Sequence, residues 1–253
     1  MDGIGKTQAR IVFDGVSFSF GRGRAVLRDL NFSAGPGECV VVAGTNGSGK
    51  TTLLTLAAGI RKPLSGHVRI AGRVGYVPQG SALLGDATVA ENLRFFADLA
   101  GAPVPRPLPF EVEKWLDRRV DRLSGGMKKQ VSIACAMAGD PETLLLDEPC
   151  GALDIRFRES LAGLIWNWKA AGKTILYVGH DPAEFHPFCD RMLVLSPGGG
   201  VRLVSDLPAD ERVFHDLYLR CMSSSPVPSE ETVREPAGQT PSDPVSAFSR
   251  RVK

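Results

Sequence analysis

The octapeptide Gly44-Thr45-Asn46-Gly47-Ser48-Gly49-Lys50-Thr51 constrains the fold of this chain more than any other stretch. It fits the pattern G-x-x-x-x-G-K-[ST], in which a loop between a strand and a helix wraps the phosphates of a nucleotide. Its glycines lack a Cβ atom, so successive backbone N–H groups can converge on phosphate oxygens. The octapeptide therefore predicts a phosphate site at the N-terminus of a helix.

The residues on either side of this loop supply the required context. Residues 38–43 form a short apolar run with three valines, which is typical of a buried parallel strand. Residues 51–58 have a helical composition and are followed by Gly59. We expect Lys50 to approach the β- and γ-phosphates and Thr51 to face Mg²⁺, with Thr52 beside it in the nucleotide site.

Composition restricts the classes of protein to which the chain can belong. Its 253 residues, 43% of them hydrophobic, suffice for one large domain or two small ones. A net charge of +2 gives no strong attraction to nucleic acid, so we expect no nucleic-acid partner. The sequence shows no signal-peptide core and no apolar run near the ~20 residues that cross a bilayer. We therefore expect a cytoplasmic chain that reaches a membrane only through a partner.

Two more apolar runs end in side chains suited to phosphate chemistry. Residues 144–148 read as a strand that ends in Asp147 and Glu148. In P-loop NTPases a carboxylate at this position holds Mg²⁺, and the next carboxylate can polarise an attacking water. An exposed acidic strand end is the alternative. His180 follows the apolar run 174–178 at the same edge, where the pattern fits a structural or a catalytic histidine equally well.

Two further candidates lie next to predicted strands. Residues 11–20 alternate apolar and polar side chains before a glycine-rich turn, which predicts an antiparallel hairpin beside the phosphate-binding strand. Phe20 precedes the turn, where its ring could stack on a purine or belong to the core. Gln79 follows a strand end and a proline, so its side chain could reach the site or remain an ordinary loop residue.

The segment after Gln79 changes character. Residues 87–99 have helical spacing with Thr88 as a plausible N-cap, and four prolines then interrupt the chain. Residues 110–120 are predicted to resume as a helix. We interpret residues 81–135, approximately, as a small helical subdomain inserted between core strands.

A third helix start follows at Leu123-Ser124-Gly125-Gly126. Ser124 is placed as the cap, and the two glycines leave backbone N–H groups unobstructed. The pattern fits an ordinary capped helix, but adjacent glycines favour a second phosphate-binding helix terminus.

Taken together, these elements predict an α/β fold. We expect the core to be that of a P-loop NTPase, with a mostly parallel sheet and helices on both faces, joined to an N-terminal antiparallel β-subdomain and the helical subdomain. We assign residues 1–222 to this domain. Residues 223–253 are rich in Pro, Ser and Thr, which indicates a disordered tail that is solvated or docks on a partner.

With these pieces in order, the sequence resembles an ATP-binding cassette (ABC) ATPase from about Arg10 to Val204. The most specific element is the octapeptide LSGGMKKQ at residues 123–130, which is similar to the family signature. The resemblance implies an adenine-stacking residue, a glutamine loop, a Walker B pair, a D-loop aspartate and a switch histidine. These are Phe20, Gln79, Asp147 with Glu148, Asp154 and His180, respectively.

The family implies a mechanism that requires two cassettes. They pack head to tail, so that ATP on one P-loop is covered by Ser124 and the signature glycines of the other chain. Thr51, Gln79 and Asp147 organise Mg²⁺ in this arrangement. Glu148 acts on the attacking water, and His180 steadies the γ-phosphate.

The resemblance also implies a role in transport. Residues 89–96 and 127–129 look most like those of bacterial exporters, which predicts an ATPase subunit bound to a transmembrane permease at the inner face of the membrane. The second cassette is then an identical or a different ABC chain. The alternatives are a cytosolic cassette used in assembly or regulation, and a nucleotide switch that hydrolyses ATP poorly.

Overall fold

In a computed structural model of the protein, residues 9–21, 23, 25–104, 106–151 and 153–223 are described. The strands in these ranges are β1 (Ile11–Ser19), β2 (Ala25–Ala34), β3 (Cys39–Gly44), β4 (Ser65–Ile70), β5 (Val74–Val77), β6 (Thr143–Asp147), β7 (Thr174–Val178), β8 (Arg191–Ser196) and β9 (Gly200–Val204). The α-helices are α1 (Lys50–Ala57), α2 (Val89–Ala100), α3 (Gly125–Ala136), α4 (Ile155–Ala170), α5 (Pro182–Phe185) and α6 (Glu211–Ser223). Two 3₁₀ segments span Pro109–Trp115 and Val120–Arg122.

The central sheet has six strands in the order β5-β6-β7-β3-β8-β9. Its first five strands are parallel, and β9 returns antiparallel to β8. Strands β3, β6 and β7 are buried along their whole length, as their apolar runs predict. Because parallel strands end at the same edge, the chain that follows each of these three strands emerges in one place.

Alternate residues of these strands enter two different cores. Val41, Leu146 and Tyr177 share a buried cluster with residues of α3, α4, α5 and α6. Val42 and Leu145 face the other way, toward α1 and the antiparallel strands. Helices therefore cover both faces of the sheet, and the predicted fold class is confirmed.

The hairpin of β1 and β2 lies elsewhere than the sequence predicted. It joins β4 in a separate three-stranded antiparallel sheet, order β2-β1-β4, and the neighbours of β3 are β7 and β8. Both hydrogen-bonding edges of β3 are thus occupied by parallel partners. The hairpin instead packs its apolar face, including Phe13 and Leu27, into the core that contains α1.

The inserted segment agrees with the prediction in one helix and differs in the next. Thr88 caps α2: its Oγ1 accepts a hydrogen bond from the Glu91 N–H at 3.2 Å, and the Glu91 carboxylate accepts one from the Thr88 N–H at 2.7 Å. The predicted helix over residues 110–120 is wrong. Phe110 and Glu111 have φ angles of 58° and 52°, and the Phe110 ring stacks on Phe157 of α4 at 5.1 Å. This contact with α4 and the two positive φ angles interrupt the regular helix that was predicted.

Helix α6 was not foreseen in the sequence. It includes Ser223, which the composition assigned to the start of the tail. Residues 224–253 of that predicted tail lie outside the described residues. The limits drawn for the main domain and the helical subdomain stay predictions. A cluster of buried side chains, including Val89, Leu93, Val112 and Val131, joins α2, α3 and the first 3₁₀ segment.

Two glycines give a paired test of this fold. Gly66 has a φ of 77°, and a Cβ atom there would lie 2.3 Å from the carbonyl group of Gly15 on β1. Gly163 lies within α4, with no atom within 4 Å of the position of an added Cβ. We expect Gly66→Ala to lower the free energy of unfolding by about 2–3 kcal/mol. Gly163→Ala should raise it by about 0.5–1 kcal/mol.

Urea denaturation followed by circular dichroism measures both changes. Equal stability of the two variants would contradict the pairing of β1 with β4 next to Gly66.

Candidate active site

The predicted phosphate loop joins β3 to α1. A Cβ atom on Gly44 would lie 2.4 Å from Ser48 Oγ and 2.5 Å from the Leu195 carbonyl oxygen, so glycine is the residue that fits. Gly49 stands at the N-cap of α1 with a φ of 105° and has no side chain to cap the helix. The N–H groups of the first turn are therefore open to an anion.

Lys50 is the basic residue of this loop. Its Nζ donates hydrogen bonds to the carbonyl oxygens of Gly44 at 2.8 Å and Thr45 at 3.1 Å, which holds the ammonium group across the loop. Burial lowers the pKa of Lys50, and the carboxylates of Glu148 and Asp147 oppose that shift. The lysine thus lies in a partly desolvated place where its attraction to phosphate is stronger than in water.

Asp147 ends β6 at the same edge and is fully buried. Among the described residues, no group meets hydrogen-bond geometry with either of its carboxylate oxygens. Burial raises the pKa of Asp147, and the nearby Thr51 hydroxyl, Lys129 and Lys50 oppose the rise. The buried Asp147 carboxylate thus lies beside the Thr51 hydroxyl, and two oxygen-bearing side chains at one place fit ligands for a cation.

The Glu148 side chain contacts two other predicted site residues. Gln79 Nε2 donates a hydrogen bond to Glu148 Oε2 at 2.8 Å, and His180 Nε2 lies 2.5 Å from Glu148 Oε1. Glu148 adopts a φ of 47°, and its N–H donates to the Val178 carbonyl oxygen at 3.0 Å. The fold therefore brings together side chains that are 69 and 32 positions from Glu148 in the sequence.

Phe20 is exposed, with 52% of its surface accessible to solvent. Phe18 fills the core position beside it, 8% exposed, and their rings meet edge to face at 5.1 Å. Arg61 lies over the Phe20 ring at 4.8 Å. The interpretation of Phe20 as a core residue is therefore wrong, and stacking on adenine stays a prediction.

The signature and D-loop residues are placed at helix starts. Ser124 Oγ accepts a hydrogen bond from the Met127 N–H at 3.3 Å and caps α3, and Asp154 Oδ1 accepts one from the Phe157 N–H at 2.9 Å and caps α4. Leu123 is buried, whereas Ser124 and Gly125 are exposed. Among the described residues, no hydrogen bond joins Ser124 to the phosphate loop of its own chain.

Several contacts around the site were not foreseen. Lys129 of α3 donates from Nζ to the carbonyl oxygens of Pro78 and Gln79, both at 3.0 Å, and burial lowers its pKa. Tyr218 of α6 donates its hydroxyl to the His180 carbonyl oxygen at 3.1 Å. In the sequence, Lys129 is identified only as part of the octapeptide at residues 123–130, and Tyr218 lies in helix α6, which was not predicted. The signal that identifies them is their position in the fold.

No helix in the described part of the chain is both long and apolar enough to cross a membrane.

Residues 27–151 match the sequence profile of the family described as ABC transporter. The Nod factor export ATP-binding protein I of Paraburkholderia xenovorans is 38% identical over 211 residues, which cover 76% of this chain and 69% of the relative. The taurine import ATP-binding protein TauB of Pseudomonas putida is 36% identical, with coverage of 71% and 75%. The Fe(3+) ions import ATP-binding protein FbpC 2 of Rhodococcus jostii is 38% identical, and the chain spans only 64% of its length.

Solved structures show the same fold. The ATP-binding subunit of an ABC transporter superposes with a TM-score of 0.75 and 26% identity, covering 83% of this chain and 98% of the other. The dimeric post-hydrolysis state of the ATP-binding cassette MJ0796 gives a TM-score of 0.65 at 24% identity, with coverage of 77% and 98%, and supports the fold alone.

The class of protein is that of P-loop ATPases. It is defined by the P-loop between β3 and α1, the carboxylate pair at the end of β6 and the histidine that follows β7. The chain belongs to the ABC transporter family, as an ATP-binding subunit with ATPase activity. The resemblance seen in the sequence is confirmed. Its finer placement among exporters is not, because relatives named for export and for import are similarly close.

Lys129 provides a test of the site geometry. We expect Lys129→Met to lower ATP turnover about tenfold, because methionine cannot hold the Pro78 and Gln79 carbonyl groups and Gln79 then loses its position beside Glu148. The measurement is phosphate release at saturating ATP. Lys62→Met, at an exposed position outside the candidate site, should retain normal turnover, and equal losses in both variants would contradict the role of these contacts.

Proposed function

We propose that this chain binds ATP with Mg²⁺, hydrolyses it in a pair of cassettes and thereby powers a transmembrane permease. The observation that carries the proposal is the position of Glu148, between Gln79 and His180 and directly after the buried Asp147. This arrangement supplies one carboxylate that can polarise a water molecule and a second that can bind a cation. Both lie at the sheet edge from which the phosphate loop starts.

In this proposal the phosphate loop binds the nucleotide through its backbone. The N–H groups of residues 44–49 and of the first turn of α1 hold the phosphates, Lys50 adds its charge, and Thr52 packs behind them at the buried side of α1. Phe20, exposed at the end of β1, stacks on the adenine. Two observations support these roles: the N-terminus of α1 has no capping side chain, and the Phe20 ring is exposed.

Thr51, Gln79 and Asp147 would hold Mg²⁺, which neutralises charge on the transferred phosphoryl group when it is bound. The fit is supported by the burial of the Asp147 carboxylate and by its position beside the Thr51 hydroxyl. A divalent cation compensates the cost of that burial.

Glu148 orients the attacking water and accepts its proton in this account, and His180 contacts the γ-phosphate. In the structure these two side chains contact each other, so the water and the phosphate would enter between groups that are already within reach. Gln79, bonded to the other carboxylate oxygen, fixes the orientation of Glu148.

The proposed site is completed by a second cassette. Ser124 and Gly125 are exposed at the N-terminus of α3, where a capped helix with two glycines can bind phosphate from another chain. Asp154 is exposed at the start of α4, next to the proposed interface. The second chain is an identical cassette or a different one.

The partner that we propose is a transmembrane permease, which would place the chain at the inner face of the membrane. The relatives are named as ATP-binding proteins of export and import systems, which supports transport over a cytosolic assembly or regulatory role. We propose export, on the exporter-like residues 89–96 and 127–129. Recovery of the chain with a detergent-solubilised membrane protein would support transport, and recovery always free of membranes would contradict it.

Glu148→Gln tests the hydrolytic step. It should lower ATP turnover by about two orders of magnitude or more while ATP affinity stays near the wild-type value, because the amide keeps the shape but cannot accept the proton. Steady-state phosphate release and ATP titration measure the two quantities. Glu159→Gln on the exposed face of α4 is the matched control, and wild-type turnover in Glu148→Gln would exclude the assigned role.

Lys50→Ala tests the binding step. Loss of a charged donor to phosphate should weaken ATP affinity at least about tenfold. The exposed Lys62→Ala is the control for a loss of one positive charge. Fluorescent-nucleotide titration measures both variants, and unchanged affinity in Lys50→Ala would contradict the assignment of the phosphate loop.

A further inference from the structure

We propose that helix α6, near the carboxyl end of the chain, belongs to the hydrolytic machinery, because Tyr218 positions the loop that carries His180. Tyr218 is a positioning residue in this account, since it acts on the reaction through His180. The proposal rests on the role in ATP hydrolysis proposed above for His180.

The hydrogen bond from Tyr218 to His180 is the first observation. The Tyr218 hydroxyl donates to the His180 carbonyl oxygen at 3.1 Å, and the tyrosine is only 7% exposed. Burial and the Asp181 carboxylate raise the pKa of Tyr218, so the hydroxyl keeps its proton and remains a donor. At the other end of the same residue, His180 Nε2 lies 2.5 Å from Glu148 Oε1. Tyr218 and His180 therefore form a chain of contacts from α6 to Glu148.

The second observation is that α6 is fixed against the element that follows His180. Asp210 accepts hydrogen bonds from the N–H groups of Arg212 and Val213 at 2.9 and 3.0 Å, at the start of α6. The Phe185 ring of α5 meets the rings of Phe214 at 6.0 Å and Tyr218 at 5.8 Å. Because α5 begins two residues after His180, α6 supports the loop directly.

The residues on either side of His180 in the chain are held by contacts with other elements. Arg158 of α4 pairs with the Asp181 carboxylate at 2.9 Å. Gly179 lies so close to aromatic rings that an added Cβ atom would be 2.9 Å from Tyr177 and 3.1 Å from Phe185. With both neighbours of His180 packed or paired, the Tyr218 bond restrains the His180 backbone, and therefore the position from which the imidazole projects toward Glu148.

A tyrosine that only packs predicts different kinetics from one that positions His180. Tyr218→Phe keeps the ring and removes the hydroxyl. We expect kcat for ATP hydrolysis to fall about three- to tenfold, the effect of one hydrogen bond, with KM for ATP unchanged. In a His180→Ala background the same substitution should cause no further loss, because its effect passes through His180.

Cys221→Ala is the matched control on α6. Cys221 is buried on the same helix at 5% exposure and makes no hydrogen bond to the His180 loop within the described residues. This variant should therefore lower the melting temperature and leave kcat unchanged. Two results would overturn the proposal. One is that Tyr218→Phe lowers kcat equally in the wild-type and His180→Ala backgrounds, and the other is that Cys221→Ala lowers kcat as much as Tyr218→Phe does. Unchanged turnover in His180→Ala alone would instead contradict the proposed role of His180.

Discussion

The site depends on one constraint: three buried parallel strands end at the same edge of the sheet. Strands β3, β6 and β7 are hydrogen-bonded neighbours, with Val42 and Asp147 both paired to Val178. The phosphate loop, the carboxylate pair and the His180 loop all lie at or within two residues of these paired positions. Sheet register alone therefore assembles the candidate chemistry, and the helices and the antiparallel sheet stabilise that register by burying its two faces.

A second constraint is the balance of buried charge. Asp147 is buried, and the ammonium groups of Lys50 and Lys129 lie near it and near Glu148. Each of these charges would be costly alone, and together they offset one another in a partly dry environment. Both lysines also bond backbone carbonyl groups, one in the phosphate loop and one beside Gln79. Charge compensation and backbone geometry are thus fixed by the same side chains.

Local patterns in the sequence were enough to predict the central features. The phosphate loop, the buried strands and the Thr88 cap are each determined by residues that are close together in the sequence. Their structure can therefore be predicted from short sequence patterns. The path of residues 110–120 was not predictable in this way, because Phe110 packs on Phe157 of α4. The partners of the β1–β2 hairpin, and the contacts of Lys129 and Tyr218, likewise depend on chain segments that are distant in sequence.

The central claim is that this cassette is half of a composite ATPase site. The most direct measurement is the molar mass of Glu148→Gln by size-exclusion chromatography with light scattering, with and without ATP and Mg²⁺. The account predicts a monomer without nucleotide and a dimer with ATP and Mg²⁺, which a further Ser124→Arg substitution abolishes. A Glu148→Gln chain that binds ATP and remains monomeric would contradict a composite site formed by two copies of this chain.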